Sequence, residues 1–468
     1  MRRCMGMGLR EILLLVVMFW NLENFFDPFE GNSSGFVRNR VVDKFVETSG
    51  DCIADSLVDP WSDFLRDSLS DSLSLQDSKV LAVDTVVQKA VQITSVGQNI
   101  RRSSEENFTK DGFAKEPFTP QGEKFWTWKK FAKKRDDIAK TICLVKEECG
   151  VYPAIIGLCE VENRFVLQQL VENTPLAKLD YGIIHKDSPD RRGIDAALLY
   201  RKELFSPLKV QFIPTRIPTT PFGEPISTES VGVSGILLSR ETVYVKGVFM
   251  GLDTLHCFVA HWPSKLGGNE ALSNRIAASN TLKKIADSIL CADSRANIIV
   301  MGDFNDSAES GPVENLDNLV NMSTKEFYGG SYGVPSGKSA DVCYIQEKRK
   351  GHEQRYPERW NTYKYKEEWS RIDHFLISPW MYAGENGVVD ECSGLGLSAS
   401  AERQEMPQEV KWLFCNSGSS RVFSHKFLLE EDTKYLGYKI RRTLVGPRYN
   451  GGVSDHLPII LRVYGYEF

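Results

Sequence analysis

The sequence lacks the features that identify several common classes of protein. Its 468 residues include 10 cysteines, but no CxxC pair and no zinc-type spacing of cysteine and histidine. Cys159 and Cys257 lie inside apolar, strand-like runs, so we expect buried free thiols rather than a disulfide framework. The formal net charge is −5, whereas chains that bind long nucleic acid by charge alone are usually basic. Any contact with nucleic acid would therefore need local basic patches and bound metal.

The N-terminal apolar stretch is too short to span a bilayer. Residues 1–10 carry three arginines and residues 12–19 are apolar, as in a signal peptide, but no small-residue cleavage site precedes Trp20. We predict that residues 12–19 form the first core strand, with a signal-like segment as the alternative. The first interpretation, together with free thiols, favours a cytoplasmic protein without a transmembrane anchor, and the second would mean export.

Polar residues that can bind metal or handle protons lie at or near one end of six short apolar runs. They are Asn21, Glu160, His261, Asp303, Asn305, Asp373, Asp455 and His456. Carboxylates, amides and imidazoles at strand ends are the groups that a divalent-metal phosphoesterase requires. This pattern is the main functional signal of the sequence.

The run GDFND follows an apolar strand. We expect Gly302 to permit a sharp turn. Asp303 and Asn305 are two residues apart, so they share a side if strand geometry continues, and together they could orient one attacking water. The alternative is that both residues simply cap a turn.

Asp373 lies within the apolar run RIDHFLIS, where a buried carboxylate needs a partner. We predict that it pairs with His456 of SDHLPI, because a carboxylate fixes the orientation of an imidazolium and raises its pKa.

Glu160 ends another apolar run and is a suitable hard ligand for Mg²⁺. Glu162 is its competitor, and we expect one of the two glutamates to be structural. Asn21 is a neutral ligand or phosphate contact, with Glu23 and Asn24 as alternates.

Seven segments, in order, resemble the endonuclease/exonuclease/phosphatase superfamily. They are WNLEN, LCEVEN, SPDRRGIDAALLY, HWPSKLGG, GDFND, TYKYKEEWSRIDHF and SDHLP. The resemblance covers roughly residues 15–30 and 115–468. It implies an α/β fold, a four-layer α/β/β/α sandwich of two packed mixed sheets flanked by helices, with the site at one mouth of the paired sheets.

The resemblance also implies roles for the metal-binding side of the site. Glu160 resembles the main metal ligand, with Asn21 beside it, and Asp455 resembles a second metal or site ligand. The implied cofactor is Mg²⁺ or Mn²⁺, as one ion or two.

On the proton-handling side, Asp303 resembles the residue that positions or deprotonates the attacking water, and Asn305 one that binds the phosphate. His456, oriented by Asp373, resembles the histidine that stabilises the pentacovalent phosphorane. His261 resembles a second histidine that contacts the phosphate or aids the leaving group.

Three further residues are assigned more weakly. We expect Asp195 to orient His261, and Arg192 or Arg240 to bind a non-bridging phosphate oxygen through the forked guanidinium.

We predict one domain over residues 11–468, interrupted by insertions at 31–115 and 385–420. Helical periodicity is expected over residues 128–145, with Trp128 and Phe131 among its apolar positions, and a second helix from an N-cap at Ser273, with Ile276 on its buried side.

The predicted function is a metal-dependent phosphoester hydrolase, first an endonuclease or phosphodiesterase on nucleic acid. Arg191, Arg192 and the basic loop at residues 347–360 favour nucleic acid, although the loop alone is also typical of a solvated turn. The acidic net charge favours the alternative, a phosphatase or phosphodiesterase on a small-molecule or lipid phosphate. A non-catalytic binding module on the same fold is the third possibility, which the complete polar set argues against. No partner protein is indicated.

Overall fold

The computed structural model describes residues 13–28, 117–217, 235–251, 253–323, 361–382, 411–435 and 437–467. The chain divides into two compact units, residues 1–27 with 129–468 and residues 28–128. In the second unit, residues 117–124 form turns. The predicted insertion 31–115 falls within this unit and lies outside the described residues. The prediction of one domain over 11–468 is not decided by this division.

The described chain contains four α-helices and nineteen strands. The helices are α1 (Trp128–Cys149), α2 (Arg164–Glu172), α3 (Gly268–Ala292) and α4 (Gly311–Glu314). The strands are β1 (Leu13–Phe25), β2 (Ile155–Val161), β3 (Tyr181–His185), β4 (Asp195–Arg201), β5 (Phe205–Ile213), β6 (Thr242–Phe249), β7 (Asp253–His261), β8 (Asn297–Asp303), β9 (Val320–Asn321), β10 (Tyr363–Tyr365), β11 (Glu368–Ser370), β12 (Asp373–Ile377), β13 (Lys411–Phe414), β14 (Ser420–Val422), β15 (Leu429–Glu431), β16 (Tyr438–Ile440), β17 (Leu444–Val445), β18 (Arg448–Tyr449) and β19 (Ile459–Glu467).

Two large mixed sheets organise these strands. The first sheet has the order β13-β19-β1-β2-β4-β3, with β14 also paired to β19, and the second has the order β5-β6-β7-β8-β12-β9. Each contains one parallel pair, β1 with β2 in the first sheet and β7 with β8 in the second. The remaining pairs β10-β11, β15-β16 and β17-β18 form short two-stranded ribbons.

The main core lies between the two sheets. Alternate residues of β1, among them Val17 and Phe19, join Val259, Met301 and Phe375 of the second sheet in one buried cluster. This alternation follows from the two-residue period of a strand. The expected pair of packed mixed sheets is therefore confirmed.

Helices contact both sheets. Ala278 and Leu282 of α3 join Phe258 and Val300 in a second buried cluster on the second sheet. On the first sheet, Phe131 of α1 stacks on Phe25 with ring centroids 5.3 Å apart. These contacts agree with helices flanking the sheets.

The predicted helices exist, but three of their details are wrong. Trp128 is 43% exposed rather than buried. The second helix begins at Gly268, so Ser273 is an interior residue whose hydroxyl donates to the Asn269 carbonyl instead of capping the helix. Ile276 is 44% exposed, because the buried side of α3 carries Ala278 and Leu282 instead.

Other predictions also have outcomes in the described residues. The stretch 12–19 falls largely within the buried strand β1, as predicted. Cys159 and Cys257 are buried free thiols. The predicted insertion 385–420 ends too late, because β13 and the start of β14 within it pair with β19. No described helix is long and apolar enough to cross a membrane.

Candidate active site

Three neighbouring strands of the second sheet place three polar residues in one line. His261 at the end of β7 is in register with Asp303 at the end of β8, and Asp303 is in register with Asp373 at the start of β12. All three side chains are buried. Strand pairing alone therefore brings together residues that lie up to 112 positions apart in the chain.

The backbone of the GDFND segment differs from the turn predicted at Gly302. Gly302 is still within β8, and a Cβ at this position would overlap the carbonyl oxygen of Ala260 on β7. Glycine is needed here for close strand approach, not for a turn. The chain turns at Asn305, whose φ is +52°, and Asn305 does not continue the strand.

Asn305 is nevertheless held beside Asp303. Its backbone N–H donates to Asp303 Oδ1 at 2.9 Å, and its side-chain amide donates to the Trp262 carbonyl at 2.9 Å. The predicted proximity of Asp303 and Asn305 is confirmed, with a turn rather than strand parity as its cause.

His456 lies in the loop before β19 and forms the predicted pair with Asp373. Its Nδ1 donates to Asp373 Oδ2 at 2.9 Å, which leaves Nε2 at 3.8 Å from Asp303 Oδ2. The backbone is also anchored, since His456 N–H donates to the Ser454 hydroxyl and its carbonyl accepts from the Trp20 indole. The imidazole thus points a fixed nitrogen toward Asp303.

His261 approaches the same place from β7. Its Nε2 is 3.7 Å from Asp303 Oδ2 and 4.0 Å from Glu160 Oε1. Its buried Nδ1 has no hydrogen-bond partner among the described residues. The predicted Asp195–His261 pair is wrong, because Asp195 contacts His185 Nε2 at 3.0 Å and accepts from the Ser188 N–H instead. Asp195 begins β4 of the first sheet and His261 ends β7 of the second, which the sequence pattern did not reveal.

The first sheet contributes its residues through irregular backbone. The register shifts at Glu160, which has φ +59°, and again between Asn21 and Phe25 on β1. Such bulges re-aim side chains next to active sites, and positive φ at a non-glycine residue costs free energy that the surroundings must offset. Glu160 Oε2 accepts the Asn24 N–H at 2.9 Å, which stabilises this conformation.

Asn21 links the two sheets at the site. Its amide nitrogen donates to Asp303 Oδ2 at 2.9 Å, and its Oδ1 accepts the Glu23 N–H at 3.0 Å. Glu162 accepts the Asp27 N–H, so of the two glutamates it is the one with a structural contact away from Asp303 and His261.

Asp455 is joined to a buried charge network. Its Oδ2 accepts from Arg442 Nη2 at 2.7 Å, and Arg442 Nε donates to Glu23 at 3.1 Å. Lys134 of α1 is fully buried and donates to the Glu23 carbonyl and the Thr443 hydroxyl. Burial raises the pKa of Glu23 to about 7, aided by Asp455, and lowers the pKa of Lys134 to about 8.

The two histidines have opposite electrostatic environments. Burial tends to lower the pKa of His456, but Asp373, Asp303 and Asp455 outweigh it and hold that pKa well above its usual value. Burial, followed by the charges of Arg240 and Arg192, holds the pKa of His261 well below its usual value. The surroundings therefore favour the protonated imidazolium at His456 and the neutral imidazole at His261.

Burial is also the main influence on Asp303. It raises the pKa of this carboxyl to about 7, while His456 and the hydrogen bonds from Asn21 and Asn305 act in the opposite direction. A carboxylate with a pKa near neutrality is suited to accept a proton.

Arg240 and Arg192 differ in how accessible their side chains are to a ligand. Arg240 is 7% exposed and is engaged with Asp190 and the Trp262 carbonyl, both at 2.8 Å, so its visible role is to hold the end of β7. Arg192 is 53% exposed at its side chain and acts electrostatically on His261. Of the two, Arg192 is the better placed to meet a ligand. The basic loop 347–360 lies outside the described residues.

Several residues that support the site were not singled out from the sequence. Trp20, Ser454, Arg442 and Lys134 act through contacts across more than 100 positions, as in the Trp20–His456 and Lys134–Thr443 hydrogen bonds. Trp20 and Ser454 lie within the recognised segments WNLEN and SDHLP and could have been found there. Arg442 and Lys134 have no local sequence signal.

The sequence matches the model of the endonuclease/exonuclease/phosphatase family over residues 106–388 and 405–464. The matched segments together span well over half of the chain. The chain belongs to this family.

Solved structures with this fold are similar over most of their length but at low identity. A family protein from Bacteroides thetaiotaomicron is 13% identical, with 97% of this chain and 96% of that chain covered and a TM-score of 0.42. A mannosyl-6-phosphatase from the same species is 15% identical, with 71% and 91% covered and a TM-score of 0.40. The human Nocturnin catalytic domain is 15% identical, with 73% and 88% covered and a TM-score of 0.37. No curated protein matches the sequence significantly.

Proposed function

We propose that this chain is a divalent-metal-dependent phosphoester hydrolase. The observation that carries the proposal is the convergence of Asp303, Asp373 and His456, whose potential ligand atoms lie within 4.8 Å of one another. His261 approaches the same carboxylate, and Glu160 lies 4.0 Å from His261. A base, a protonated histidine, a neutral histidine and an oxygen-ligand set are thus combined at one place.

The donor chemistry of the first-sheet residues fits a hard divalent cation. Glu160, Asn21 and Asp455 offer only oxygen atoms as ligands, which is the preference of Mg²⁺ and Mn²⁺. Glu160 is 16% exposed at its side chain and so is accessible. These three residues would hold the ion, which when bound polarises the phosphate and stabilises the leaving oxygen.

The chain's own residues divide the remaining work. Asp303 accepts a proton from the attacking water, which Asn305 helps to hold beside the phosphate. The protonated Nε2 of His456 opposes the negative charge that grows on the phosphate oxygens, and Asp373 keeps the imidazole in place. His261, which is neutral, offers an N–H to the phosphate or the leaving group.

We propose nucleic acid as the first substrate class, cleaved as a phosphodiester. Arg191 and Arg192 are exposed on the loop before β4, and Lys265, 59% exposed, pairs with Asp306 next to the GDFND turn. Exposed cations beside a phosphoesterase site bind phosphate backbones. The net charge of −5 favours the alternative, a small-molecule or lipid phosphate.

A substrate panel tests both levels of this proposal. Purified protein with Mg²⁺ or Mn²⁺ is assayed on bis-p-nitrophenyl phosphate, plasmid DNA, RNA, p-nitrophenyl phosphate, phosphoinositides and sphingomyelin, with EDTA as control. Metal-dependent cleavage of plasmid DNA or RNA supports the nuclease proposal, and cleavage of only the lipid or small substrates supports the alternative. If none is cleaved with either metal, the chain is better described as a binding module.

A further inference from the structure

Tyr363 packs directly against the imidazole of His456. The two ring centroids are 5.0 Å apart and the ring planes are inclined at 43°. The backbones of the same two residues form an antiparallel bridge, and the Leu457 N–H donates to the Thr362 carbonyl at 2.8 Å. Main-chain hydrogen bonds, rather than side-chain collapse, therefore make these rings neighbours.

The ribbon that carries Tyr363 is firmly attached. Lys364 donates to Asp432 Oδ2 at 2.7 Å and to the Tyr438 carbonyl at 3.1 Å, and the Lys364 and Asp432 side chains are only 5% and 4% exposed. Thr362 is fully buried. Because these flanking residues are fixed, the phenol ring has a defined place beside the site.

Charged groups of the site act electrostatically on the phenol of Tyr363. Tyr363 is half-buried, and burial, followed by the nearby Asp455 carboxylate, raises its pKa. Arg442 and Asp303 also act on it electrostatically. The Tyr363 ring thus contacts the His456 imidazole, and charged groups of the site act on its hydroxyl.

His456 needs more than Asp373 to define its orientation. A single hydrogen bond at Nδ1 fixes one end of the ring, but the outer torsion of histidine is broad, so the ring plane can still tilt about that contact. An aromatic ring against an imidazolium limits the tilt and attracts the positive charge. A loss of this restraint would let Nε2 move from its place 3.8 Å from Asp303.

We propose that Tyr363 is a positioning residue whose aromatic ring holds the His456 imidazole in its working orientation. The inference rests on the proposed function for its effect on rate, but its structural part is independent of that function. Tyr363 acts through His456 rather than on the substrate, and its ring, not its hydroxyl, is the required feature.

The kinetic test compares Tyr363→Phe and Tyr363→Leu, with bis-p-nitrophenyl phosphate and Mg²⁺ as the probe. We expect Tyr363→Leu to lower kcat about ten- to hundredfold while KM changes less than about twofold, since a misplaced catalytic group slows chemistry without weakening binding. Tyr363→Phe keeps the ring and should retain the wild-type kcat. Tyr365→Leu is the control, because Tyr365 is on the same ribbon but 62% exposed.

The structural test observes His456 without any need for activity. The chain has 7 histidines, so ¹³Cε1-labelled histidine gives a simple spectrum in which the His456 signal is identified by its loss in His456→Asn. We expect one narrow signal in the wild type and in Tyr363→Phe, and a shifted, exchange-broadened signal in Tyr363→Leu.

The outcomes separate the two proposals. If the wild type cleaves nothing, the proposed function fails, and the His456 signal still decides the positioning role. An unchanged signal in Tyr363→Leu overturns that role, as does a Tyr363→Leu enzyme with wild-type kcat. Equal losses in the Phe and Leu variants would assign the effect to the hydroxyl and also overturn it.

Discussion

The two sheets contribute to the candidate site in different ways. The second sheet places His261, Asp303 and Asp373 side by side through regular register on β7, β8 and β12. The first sheet places Asn21 and Glu160 through bulges and positive φ values on β1 and β2. The difference between the two sides of the site lies in backbone geometry.

This difference matches the chemistry proposed for each side. Groups that exchange protons must keep their mutual distances, and a regular ladder of backbone hydrogen bonds restrains them closely. Ligands for a cation must converge on a point in space, and a bulge can turn a side chain out of the sheet plane to do so. The bulges therefore fit the metal-binding role proposed for Asn21 and Glu160.

The largest effect should follow from changes in the regular row. Asp303→Asn removes the base but keeps its shape, so we expect phosphodiester hydrolysis to fall about 10²- to 10⁴-fold with little change in thermal stability. His456→Ala should lower it comparably. Asp317→Asn, at a carboxylate 75% exposed on the surface, is the control and should be unaffected. Wild-type rates in Asp303→Asn would contradict the assignment of the second sheet.

The next largest effect is expected from the close approach of β7 and β8. Gly302→Ala should lower the free energy of unfolding by about 1–3 kcal/mol, because the added methyl overlaps a backbone oxygen that cannot move freely. Urea unfolding measures this. Gly311→Ala is matched to it, since a Cβ there meets nothing within 4 Å, and should change stability by less than about 0.5 kcal/mol. Equal stabilities for both variants would contradict the close approach of β7 and β8.

A smaller effect is expected from a change in the first sheet, where β1 and β2 are bulged. Glu160→Gln should raise the Mg²⁺ concentration needed for half-maximal activity by at least about tenfold, because a carboxylate ligand becomes a neutral amide. The increase of Tm on addition of Mg²⁺ should shrink in parallel. Glu162→Gln is the control, because Glu162 accepts the Asp27 N–H instead. A similar metal requirement in both variants would count against Glu160 as a ligand.

The smallest effect lies on β7 away from the site. Burial lowers the pKa of His256 from 6.5 to about 4, and its Nδ1 accepts from the Tyr244 hydroxyl at 2.8 Å. Between pH 6.5 and 4 the unfolded chain therefore binds more protons, so this residue's contribution to stability, complete above pH 6.5, is lost as pH falls through that window.

His256→Gln should flatten this part of the pH dependence. The slope of unfolding free energy against pH should decrease by less than one bound proton within the window, and it should match the wild type above pH 6.5. Urea unfolding across the range measures both slopes. An undiminished acidic slope would show that His256 titrates normally in the folded protein.

The sequence predicted the site's components better than their contacts. Strand ends could be recognised from apolar runs, and a buried Asp373 implied an imidazole partner, which the His456 pair confirmed. The Asp195–His261 pair failed because Asp195 pairs with His185 on the neighbouring strand β3, a contact that spacing along the chain does not show. Gly302 was assigned to a turn because the sequence shows only that a glycine is present. It does not show whether the fold requires its small size or its conformational freedom.

Element boundaries failed for a related reason. Ser273 is a good N-cap residue, but the helix starts at Gly268, directly after the 3-10 turn Lys265–Gly267. Residues 411–420 were predicted to belong to an insertion, but β13 and the start of β14 within them pair with the edge of β19. Local propensity is weak enough for tertiary contacts to override it.

The sequence by itself determined the family, the two-residue alternation of the core strands and the set of oxygen and imidazole groups delivered to their ends. These follow from residue type and short-range spacing, which are local properties. Tertiary structure decided which ends meet, how Glu160 is turned by a bulge, and which histidine carries the charge. Such features depend on burial and on partners hundreds of residues away, as in the Arg442–Glu23 pair, and no local pattern records them.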